Sequence, residues 1–302
     1  MLYRTMLLVA LPALTALGGC MVGDATDDED MLIEGKKSAP VRIVSHNIEK
    51  RMEVLQQTLA KAIAIDAHAV ALQEVCPDQL AWLRATYGNK WAINAASNKK
   101  RSVVGCPLPD GTQDFPHDVA IYLGGTDAVA TTYATLAGPE NAPGNKLVCL
   151  LFERANVPVH FCSVHLISGD WKDPVTGVVY DGATVREQQT TAIKRIARDE
   201  WFDGAKNHFA ILAGDFNAQP NSVELDRLYD GTLGGNGDFT EYNRSGSGRA
   251  GQETAHPDDT AAKKIDYILF STNRAPIDGP AVDIIADASD HDMVISNVSM
   301  MK

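Results

Sequence analysis

The amino-acid sequence predicts a mixed α/β fold in one large domain. In the first half of the chain, short apolar runs alternate with segments whose apolar residues recur at helical spacing. Two apolar runs near the middle, 146–152 and 157–164, are separated by a short turn and predict an antiparallel hairpin. A purely parallel sheet does not accommodate that hairpin. The chain has 302 residues, 45% of them hydrophobic, which is enough for one substantial core.

Three segments carry helix signals. The first is the apolar spacing from 54 to 63, and the second is 77–87, with Pro77 in its first turn and Gly88 after its end. The third runs from Thr184 to about residue 202, and its start matches a capping box from Thr184 to Glu187. The remaining apolar runs predict strands at 41–45, 68–73, 91–95, 119–123, 208–212, 265–270, 282–285 and 293–298. Two Gly-rich loops, 168–182 and 231–251, are long enough to indicate function.

The first twenty residues have the features of an export signal. Arg4 precedes an apolar stretch, 6–17, that is too short to span a bilayer. Leu17-Gly18-Gly19-Cys20 resembles the bacterial lipobox, whose cleavage leaves a lipidated cysteine. We therefore predict a lipoprotein-type signal peptide (1–19), an acidic disordered tether (20–38) that starts at the lipidation site Cys20, and a folded domain (39–302). The alternative is an ordinary signal peptide, which would leave a secreted or periplasmic protein.

The charge of the chain is strongly acidic. The formal net charge is −12, and residues 23–34 hold six acids without a lysine or arginine. Such a chain does not coat nucleic acid by charge alone, but the charge is compatible with an enzyme that approaches phosphate with the help of a cation. Nothing in the sequence indicates an obligate oligomer, so we expect a monomer.

Four cysteines follow the predicted lipidation site, and an exported protein is expected to oxidise them. Cys149 and Cys162 lie at equal distances from the predicted turn at Ala155-Asn156, so they should face each other across the hairpin. That pairing leaves Cys76 with Cys106. The alternative is four free, buried thiols.

Polar residues interrupt or flank the apolar strands at regular places. They are Asn47, Glu74, His165, Asp215, Asn217, Asp266, Asp290 and His291. Carboxylates without a close Cys or His pair form an oxygen-rich site, which suits Mg²⁺, with Mn²⁺ or Ca²⁺ as alternatives. Histidines can transfer protons near neutral pH. Because the sequence has no P-loop and no Gly-x-Ser-x-Gly motif, attack of water on a phosphoester is the chemistry that this set favours.

In this order, the motifs resemble those of the endonuclease/exonuclease/phosphatase superfamily, which includes deoxyribonuclease I. They are Ile43-Val44-Ser45-His46-Asn47-Ile48, Leu72-Gln73-Glu74-Val75, Ser163-Val164-His165-Leu166, Gly214-Asp215-Phe216-Asn217-Ala218, Ile265-Asp266-Tyr267-Ile268 and Ser289-Asp290-His291. The resemblance spans 41–299. It implies a four-layer α/β/β/α sandwich, with two mixed, mostly antiparallel sheets between helices and the active site at one end.

The resemblance also implies roles for these residues. Glu74, with Asn47 beside it, resembles the metal-binding pair, and Asp290 resembles a second metal-binding or water-positioning carboxylate. Asp215 and Asn217 resemble the pair that holds the attacking water and a phosphate oxygen.

The resemblance further indicates two histidines for proton transfer. Asp266 resembles the carboxylate that orients His291, which we interpret as the base, and His165 resembles a second histidine, which we interpret as the acid. We add Asp118, at the start of a predicted strand, as a hydrogen-bond partner of His165. The alternative for Asp118 is a turn residue.

The sequence leaves the substrate open. The leading hypothesis is an extracellular, Mg²⁺-dependent endonuclease of deoxyribonuclease I type that acts on DNA. The alternatives are a sphingomyelinase-like phospholipid phosphodiesterase, a phosphoinositide phosphatase, and a binding protein that kept the fold and lost the chemistry. Several other residues could contact substrate or be structural: Arg186, Gln189, Trp171, Tyr180, Lys99, Lys100, Arg101, Lys263 and Lys264.

Overall fold

The computed structural model describes most of the chain after its first thirty residues. The described residues are 32–33, 36–97, 105–108, 110–133, 146–173, 176–203, 206–245, 247–258, 261–274, 281–286 and 288–301. The chain divides into two units, 1–30 and 31–302, and all described residues belong to the second. The predicted signal peptide, Cys20, most of the tether and Lys99, Lys100 and Arg101 lie outside the described residues. Within them, no helix is long and apolar enough to cross a membrane.

The described residues form seventeen strands. In chain order they are β1 (Leu32–Ile33), β2 (Lys36–Asn47), β3 (Ala69–Val75), β4 (Ala92–Ser97), β5 (Cys106–Pro107), β6 (Gln113–Asp114), β7 (His117–Tyr122), β8 (Val129–Tyr133), β9 (Leu147–Arg154), β10 (Val157–His165), β11 (Trp171–Lys172), β12 (Val179–Tyr180), β13 (Phe209–Asp215), β14 (Phe239–Thr240), β15 (Asp266–Ser271), β16 (Ala281–Ile285) and β17 (Met293–Met301). β2 begins at Lys36, so the ordered backbone includes the last residues of the segment predicted as a tether.

Three α-helices occur at the predicted places: α1 (Met52–Ala64), α2 (Pro77–Tyr87) and α3 (Gly182–Ile196). A π-helical turn, Ala197–Trp201, continues α3, and short 3₁₀ turns occupy Val223–Arg227, Gly231–Leu233 and Thr272–Arg274. The predicted capping box of α3 is wrong. Asp181 is the N-cap, and its carboxylate accepts a hydrogen bond from the Thr184 backbone N–H at 2.8 Å, because the helix begins two residues earlier than predicted.

Two large sheets hold most of the strands. The first has the order β16-β17-β2-β3-β7-β4, with β1 added to β2, and the second has the order β14-β15-β13-β10-β9-β8. In each sheet one central pair is parallel, β2 with β3 and β10 with β13, and the other pairs are antiparallel. The predicted hairpin is β9–β10, with its turn at Ala155 and Asn156.

Three apolar clusters show how the layers pack. One cluster joins the facing sides of the two sheets, for example Val41 and Ile43 with Phe161 and Ile211. A second packs α1 and α2 on the outer side of the first sheet, and a third packs α3 and Trp201 on the outer side of the second sheet. Alternating side chains of each central strand thus enter two different cores. This arrangement confirms the predicted four-layer α/β/β/α sandwich.

Both predicted disulfides are present. Cys149 and Cys162 are direct partners in the β9–β10 pairing and are joined by one disulfide, and Cys76–Cys106 is the other. The second disulfide links the start of α2 to the short strand β5. Two disulfides indicate an oxidising environment outside the cytoplasm.

Candidate active site

The sheet topology collects the predicted polar residues at one edge of the sandwich. The parallel strands β2, β3, β10 and β13 all end at this edge, and their antiparallel neighbours β7, β15 and β17 begin there. In the second sheet, His165 is paired with Asp215, and Asp215 with Asp266. Residues far apart in the sequence therefore lie side by side because of strand register alone.

His291 and Asp266 form a buried hydrogen-bonded pair. The His291 Nδ1 atom lies 2.9 Å from Asp266 Oδ2 and 3.1 Å from Asp266 Oδ1. Thr254, which is fully buried, donates its hydroxyl hydrogen to Asp266 Oδ2 at 2.9 Å and accepts the Asp266 backbone N–H at 3.0 Å. Asp266 is thus held from two sides, and its orientation fixes the His291 ring so that Nε2 faces Asp215.

Asp215 lies at the centre of the group and is almost completely buried. Its Oδ2 atom is 3.5 Å from His165 Nε2, 3.8 Å from His291 Nε2 and 3.3 Å from Asn47 Nδ2. Its other oxygen, Oδ1, accepts the backbone N–H of Asn217 at 2.8 Å. The contact with Asn47 crosses from the second sheet to the first, so the site is shared between the two sheets.

His165 has the partner predicted for it. The distance from His165 Nδ1 to Asp118 Oδ1 is 3.1 Å, and both side chains are buried, so the predicted hydrogen bond is confirmed. The carboxylate accepts from the Nδ1–H, which leaves Nε2 as the atom that faces Asp215. Two histidines, each backed by an aspartate, therefore point at one carboxylate from opposite sides.

The close carboxylates and imidazoles change each other's acidity. Burial by itself lowers the pKa of His291, but the charges of Asp266 and Asp215 outweigh this effect and raise the pKa to about 10. Burial raises the pKa of the Asp215 carboxyl, against the opposing effect of His291. The carboxylates around the ring therefore favour the protonated form of His291 in the protein without a bound metal ion.

The predicted metal-binding residues lie on the first-sheet side of the site. Glu74 has a left-handed backbone, φ +60°, at an irregularity in the β3–β7 pairing between Leu72 and Val75. Its Oε2 atom is 2.5 Å from Lys50 Nζ. Asp290 is partly exposed, with Oδ1 4.0 Å from His291 Nε2. The donors are carboxylate and amide oxygens, and the Glu74 carboxylate already attracts a cation, so this set fits a hard divalent ion such as Mg²⁺.

A second candidate set for a metal is the convergence of Asp215, Asp266 and His291, whose candidate ligand atoms lie within 4.8 Å of one another. Both Asp266 oxygens already accept hydrogen bonds from His291, and one also accepts from Thr254. These bonds are those of an oriented His–Asp pair. We therefore favour Glu74, Asn47 and Asp290 over this set as the metal ligands.

Several residues whose role the sequence left open make contacts within the fold. Arg186 binds Glu224 at 3.0 Å, and Gln189 Oε1 accepts the Ile167 backbone N–H at 3.2 Å. Trp171 is buried and stacks on Tyr180 within the loop 168–182. Lys264 is buried in an ion pair with Glu241 at 2.7 Å.

Sequence reasoning missed two groups around the site. Thr254 carries no motif, and its only signal is its contact with Asp266 in the folded chain. His46 belongs to a quoted motif but has no predicted role; its Nε2 atom lies 3.1 Å from the His291 carbonyl oxygen, and Nδ1 lies 2.7 Å from Thr58. Because a carbonyl only accepts, His46 Nε2 carries a hydrogen and fixes the backbone of His291. Thr254 and His46 thus hold Asp266 and His291 in position.

A cleft with a volume of about 690 Å³ opens beside Asn217. Its lining includes the segment from Asn217 to Ser222, together with Lys263 and Arg186. Asn217 thus belongs both to the site and to the cleft.

The fold and this site define a class of protein. A family model described as "Endonuclease/Exonuclease/phosphatase family" matches residues 44–291, and the chain belongs to that family. Members of this family are hydrolases that act on phosphodiesters, so the chain has a phosphoesterase- or nuclease-like fold. Among curated proteins, no sequence matches the chain.

Solved structures share the fold at low sequence identity. The human Nocturnin catalytic domain with bound sulfate is 15% identical with a TM-score of 0.61, and the match covers 86% of this chain and 94% of that one. An endonuclease/exonuclease/phosphatase from Bacteroides vulgatus is 15% identical with a TM-score of 0.58, covering 87% and 100%. TDP2 from D. rerio in complex with single-strand DNA product is 14% identical with a TM-score of 0.58, covering 86% and 98%.

Proposed function

We propose that the protein is a divalent-metal-dependent phosphodiesterase that cleaves nucleic acid, with DNA as its substrate, outside the cytoplasm. The observation that carries the proposal is the pair of buried His–Asp couples that meet at Asp215. One couple can remove a proton from water while the other gives a proton to the leaving oxygen. A binding protein that had lost its chemistry would not need both couples aligned on one carboxylate.

Each residue has a defined task in this proposal. Asp215 and the amide of Asn217 hold the attacking water and one phosphate oxygen, and the Asp215 hydrogen bond to the Asn217 backbone fixes their relative position. His291, oriented by Asp266, takes the proton from water in its neutral form, which a cation beside these carboxylates would favour by offsetting their charge. His165, oriented by Asp118, protonates the leaving oxygen. Glu74, Asn47 and Asp290 would hold Mg²⁺, whose charge offsets that of the phosphate and polarises its P–O bonds.

The charge of His291 supports a second assignment of the proton-transfer roles. A ring with a pKa of about 10 is already protonated at neutral pH, which is the state of a proton donor. The second assignment therefore exchanges the two histidines, with His291 as acid and His165 as base. The two assignments use the same groups and differ in the direction of proton transfer.

DNA as substrate has support from a structural neighbour. TDP2 from D. rerio was solved with a single-strand DNA product, and it shares this fold across most of its length. One observation favours a phospholipid instead: Val178 and Val179, next to and within the small ribbon β11–β12, are 48% and 60% exposed. Two exposed valines form a far smaller apolar surface than the patches that mark membrane contact.

Plasmid nicking tests the proposal. The chain without its signal peptide is incubated with supercoiled plasmid and Mg²⁺, with EDTA, and as the His291→Ala variant. We expect nicking that requires the metal and disappears in the variant. If folded protein leaves the plasmid intact but hydrolyses sphingomyelin or phosphoinositide vesicles, the nucleic-acid substrate is wrong and a phospholipid substrate replaces it.

We further propose that the protein is exported and held at a membrane through a lipid on Cys20. The two disulfides support export, since such bonds persist in oxidising compartments. Partition of the wild-type protein into a detergent phase, lost in Cys20→Ala, is the expected result. If both proteins partition equally into the aqueous phase, the lipid anchor is wrong and an ordinary signal peptide is the correct interpretation.

A further inference from the structure

We infer that the cleft beside Asn217 is a subsite for the neighbouring nucleotide of a polynucleotide strand, and that Lys263 binds the phosphate next to the scissile one. This subsite rests on the proposed function, and it would be the feature that selects a polynucleotide as substrate. The volume of the cleft, about 690 Å³, falls within the usual range of ligand sites, about 300–1,000 Å³. Asn217 lines the cleft and its N–H bonds Asp215, so the nucleotide next to a scissile phosphate at Asp215 would lie towards the cleft.

One wall of the cleft is fixed before substrate arrives. The Ala218 carbonyl accepts from the Tyr267 hydroxyl at 2.8 Å, and the Pro220 carbonyl accepts from Arg249 Nη1 at 3.3 Å. The Gln219 carbonyl accepts from the Ser222 hydroxyl at 2.8 Å. Bonds at three successive carbonyls hold the segment that follows the Asp215–Asn217 motif. A preorganised wall loses little conformational entropy when it binds a ligand.

The side chains on this wall are available to a ligand. Gln219 and Asn221 are exposed, and neither side chain makes a hydrogen bond to any described residue. Amide side chains can both donate and accept, so they can read the polar edge of a base. Only three of the lining residues have apolar side chains, Ala218, Pro220 and Ile265. Such a wall suits a nucleotide better than the acyl chains of a phospholipid.

Lys263 supplies the positive charge of the cleft. Arg186 and Glu224 also line it, but they form an ion pair at 3.0 Å and neutralise each other. Among the described residues, Lys263 has no ion pair, so the net charge of the lining is positive in an otherwise acidic protein. A phosphate entering the cleft would find this ammonium group as its counter-ion.

The backbone of Lys263 is held firmly beside the catalytic pair. Its N–H and carbonyl exchange hydrogen bonds with Ala255 at 2.9 Å, and its carbonyl also accepts from the Thr254 N–H at 2.8 Å. Thr254 is the residue that holds Asp266. The backbone of Lys263 is therefore fixed, and its ammonium group has no ion pair among the described residues. This is the arrangement expected for a phosphate contact next to the reaction centre.

The test compares two substrates in one enzyme. One substrate is a short single-stranded oligonucleotide, and the other is bis(p-nitrophenyl) phosphate, which has no second phosphate for Lys263 to bind. For Lys263→Gln, we expect the ratio of kcat/KM on the oligonucleotide to kcat/KM on the small diester to fall about tenfold, as for loss of one charged hydrogen bond. The slope of log(kcat/KM) against log(salt) on the oligonucleotide should become shallower by about 0.7, one phosphate contact.

Two variants complete the design. Lys90→Gln removes the same charge from an exposed position before β4, at the opposite edge of the sandwich, and should leave both the ratio and the slope as in the wild type. Lys263→Arg keeps the charge and should restore most of the ratio. A Lys263→Gln ratio and slope equal to those of Lys90→Gln would overturn the subsite. Hydrolysis of the small diester without any cleavage of the oligonucleotide would overturn the proposed substrate, and the subsite with it.

Discussion

We predict that the protein loses stability in mild acid because the imidazole of His160 is buried and neutral. The ring lies on β10, stacked on Trp201 with centroids 5.1 Å apart, and its Nε2 atom is 2.8 Å from His208 Nδ1. Its Nδ1 atom is buried and has no hydrogen-bond partner among the described residues. Burial, then the positive charges of His208 and Lys206, lower the pKa of His160 from 6.5 to about 4.

The direction and size of the effect follow from this shift. Because the folded pKa lies below the unfolded pKa, the stabilisation is complete above pH 6.5 and is lost as the pH falls from 6.5 towards 4. The full loss would be about 3.4 kcal/mol, from about 2.5 pK units at about 1.36 kcal/mol each. Between about pH 7.5 and about pH 5 the linkage relation gives a loss of about 2 kcal/mol in the free energy of unfolding.

Urea unfolding at the two pH values measures this loss. His160→Gln removes the titrating ring and keeps an N–H donor for His208, so its free energy of unfolding should fall by about 2 kcal/mol less than that of the wild type between the two pH values. His256→Gln is the matched control, because His256 has a side chain that is 47% exposed. The reasoning is refuted if His160→Gln shows the same pH dependence as the wild type.

Three further predictions concern the site and the hairpin. A substrate with a p-nitrophenol leaving group needs no proton donor, so it should rescue His165→Ala by about 100-fold or more relative to DNA and leave His291→Ala inactive. Lys50→Gln removes the ammonium group that competes for the predicted metal carboxylate, so calorimetric titration of Mg²⁺ should show about threefold to tenfold tighter binding. Replacement of Cys149 and Cys162 by alanine opens a short loop and should lower the free energy of unfolding by about 3 kcal/mol, measured in urea.

Each of these predictions has an outcome that contradicts it. Rescue of His291→Ala instead of His165→Ala would exchange the two proton-transfer roles. Weaker Mg²⁺ binding by Lys50→Gln would mean that the lysine supports the metal site. A double cysteine variant as stable as the wild type would mean that strain in the native hairpin offsets the effect of the disulfide on the unfolded chain. The control is a variant in which alanine replaces the cysteines of the other disulfide, Cys76–Cys106.

The sequence predicted the elements of the fold well because each one has a local signal. Apolar runs mark β10 and β13, and Pro77 marks the start of α2. The start of α3 was predicted two residues too late, because Asp181 and Thr184 are both good N-caps and only the backbone distinguishes them. The division of the strands into two packed sheets came from the family resemblance, and the order of strands within each sheet was not predicted, since strand pairing across long separations leaves little local trace.

The candidate site was predictable where a polar residue interrupts an apolar strand. Asp215 and Asp266 stand out in this way, and the contact of His165 with Asp118 was predicted from the family resemblance, because Asp118 begins a strand as the partner of the second histidine does in deoxyribonuclease I. Thr254 and Lys50 could not be predicted in this way, because they lie in loops. Their contacts with Asp266 and Glu74 exist only in the folded chain. A supporting residue of this kind becomes visible only when strand register is known.

The position of β17 constrains the order in which the molecule can assemble. This strand contains the last described residues of the chain, yet it lies between β16 and β2, with eight residue pairs to β2 alone. His291 precedes it by two residues. An N-terminal fragment that ends before residue 291 leaves one edge of β2 open and lacks one of the two histidines. A chain that crosses a membrane from its N-terminus would therefore lack this strand and this histidine until residues 291–301 had followed.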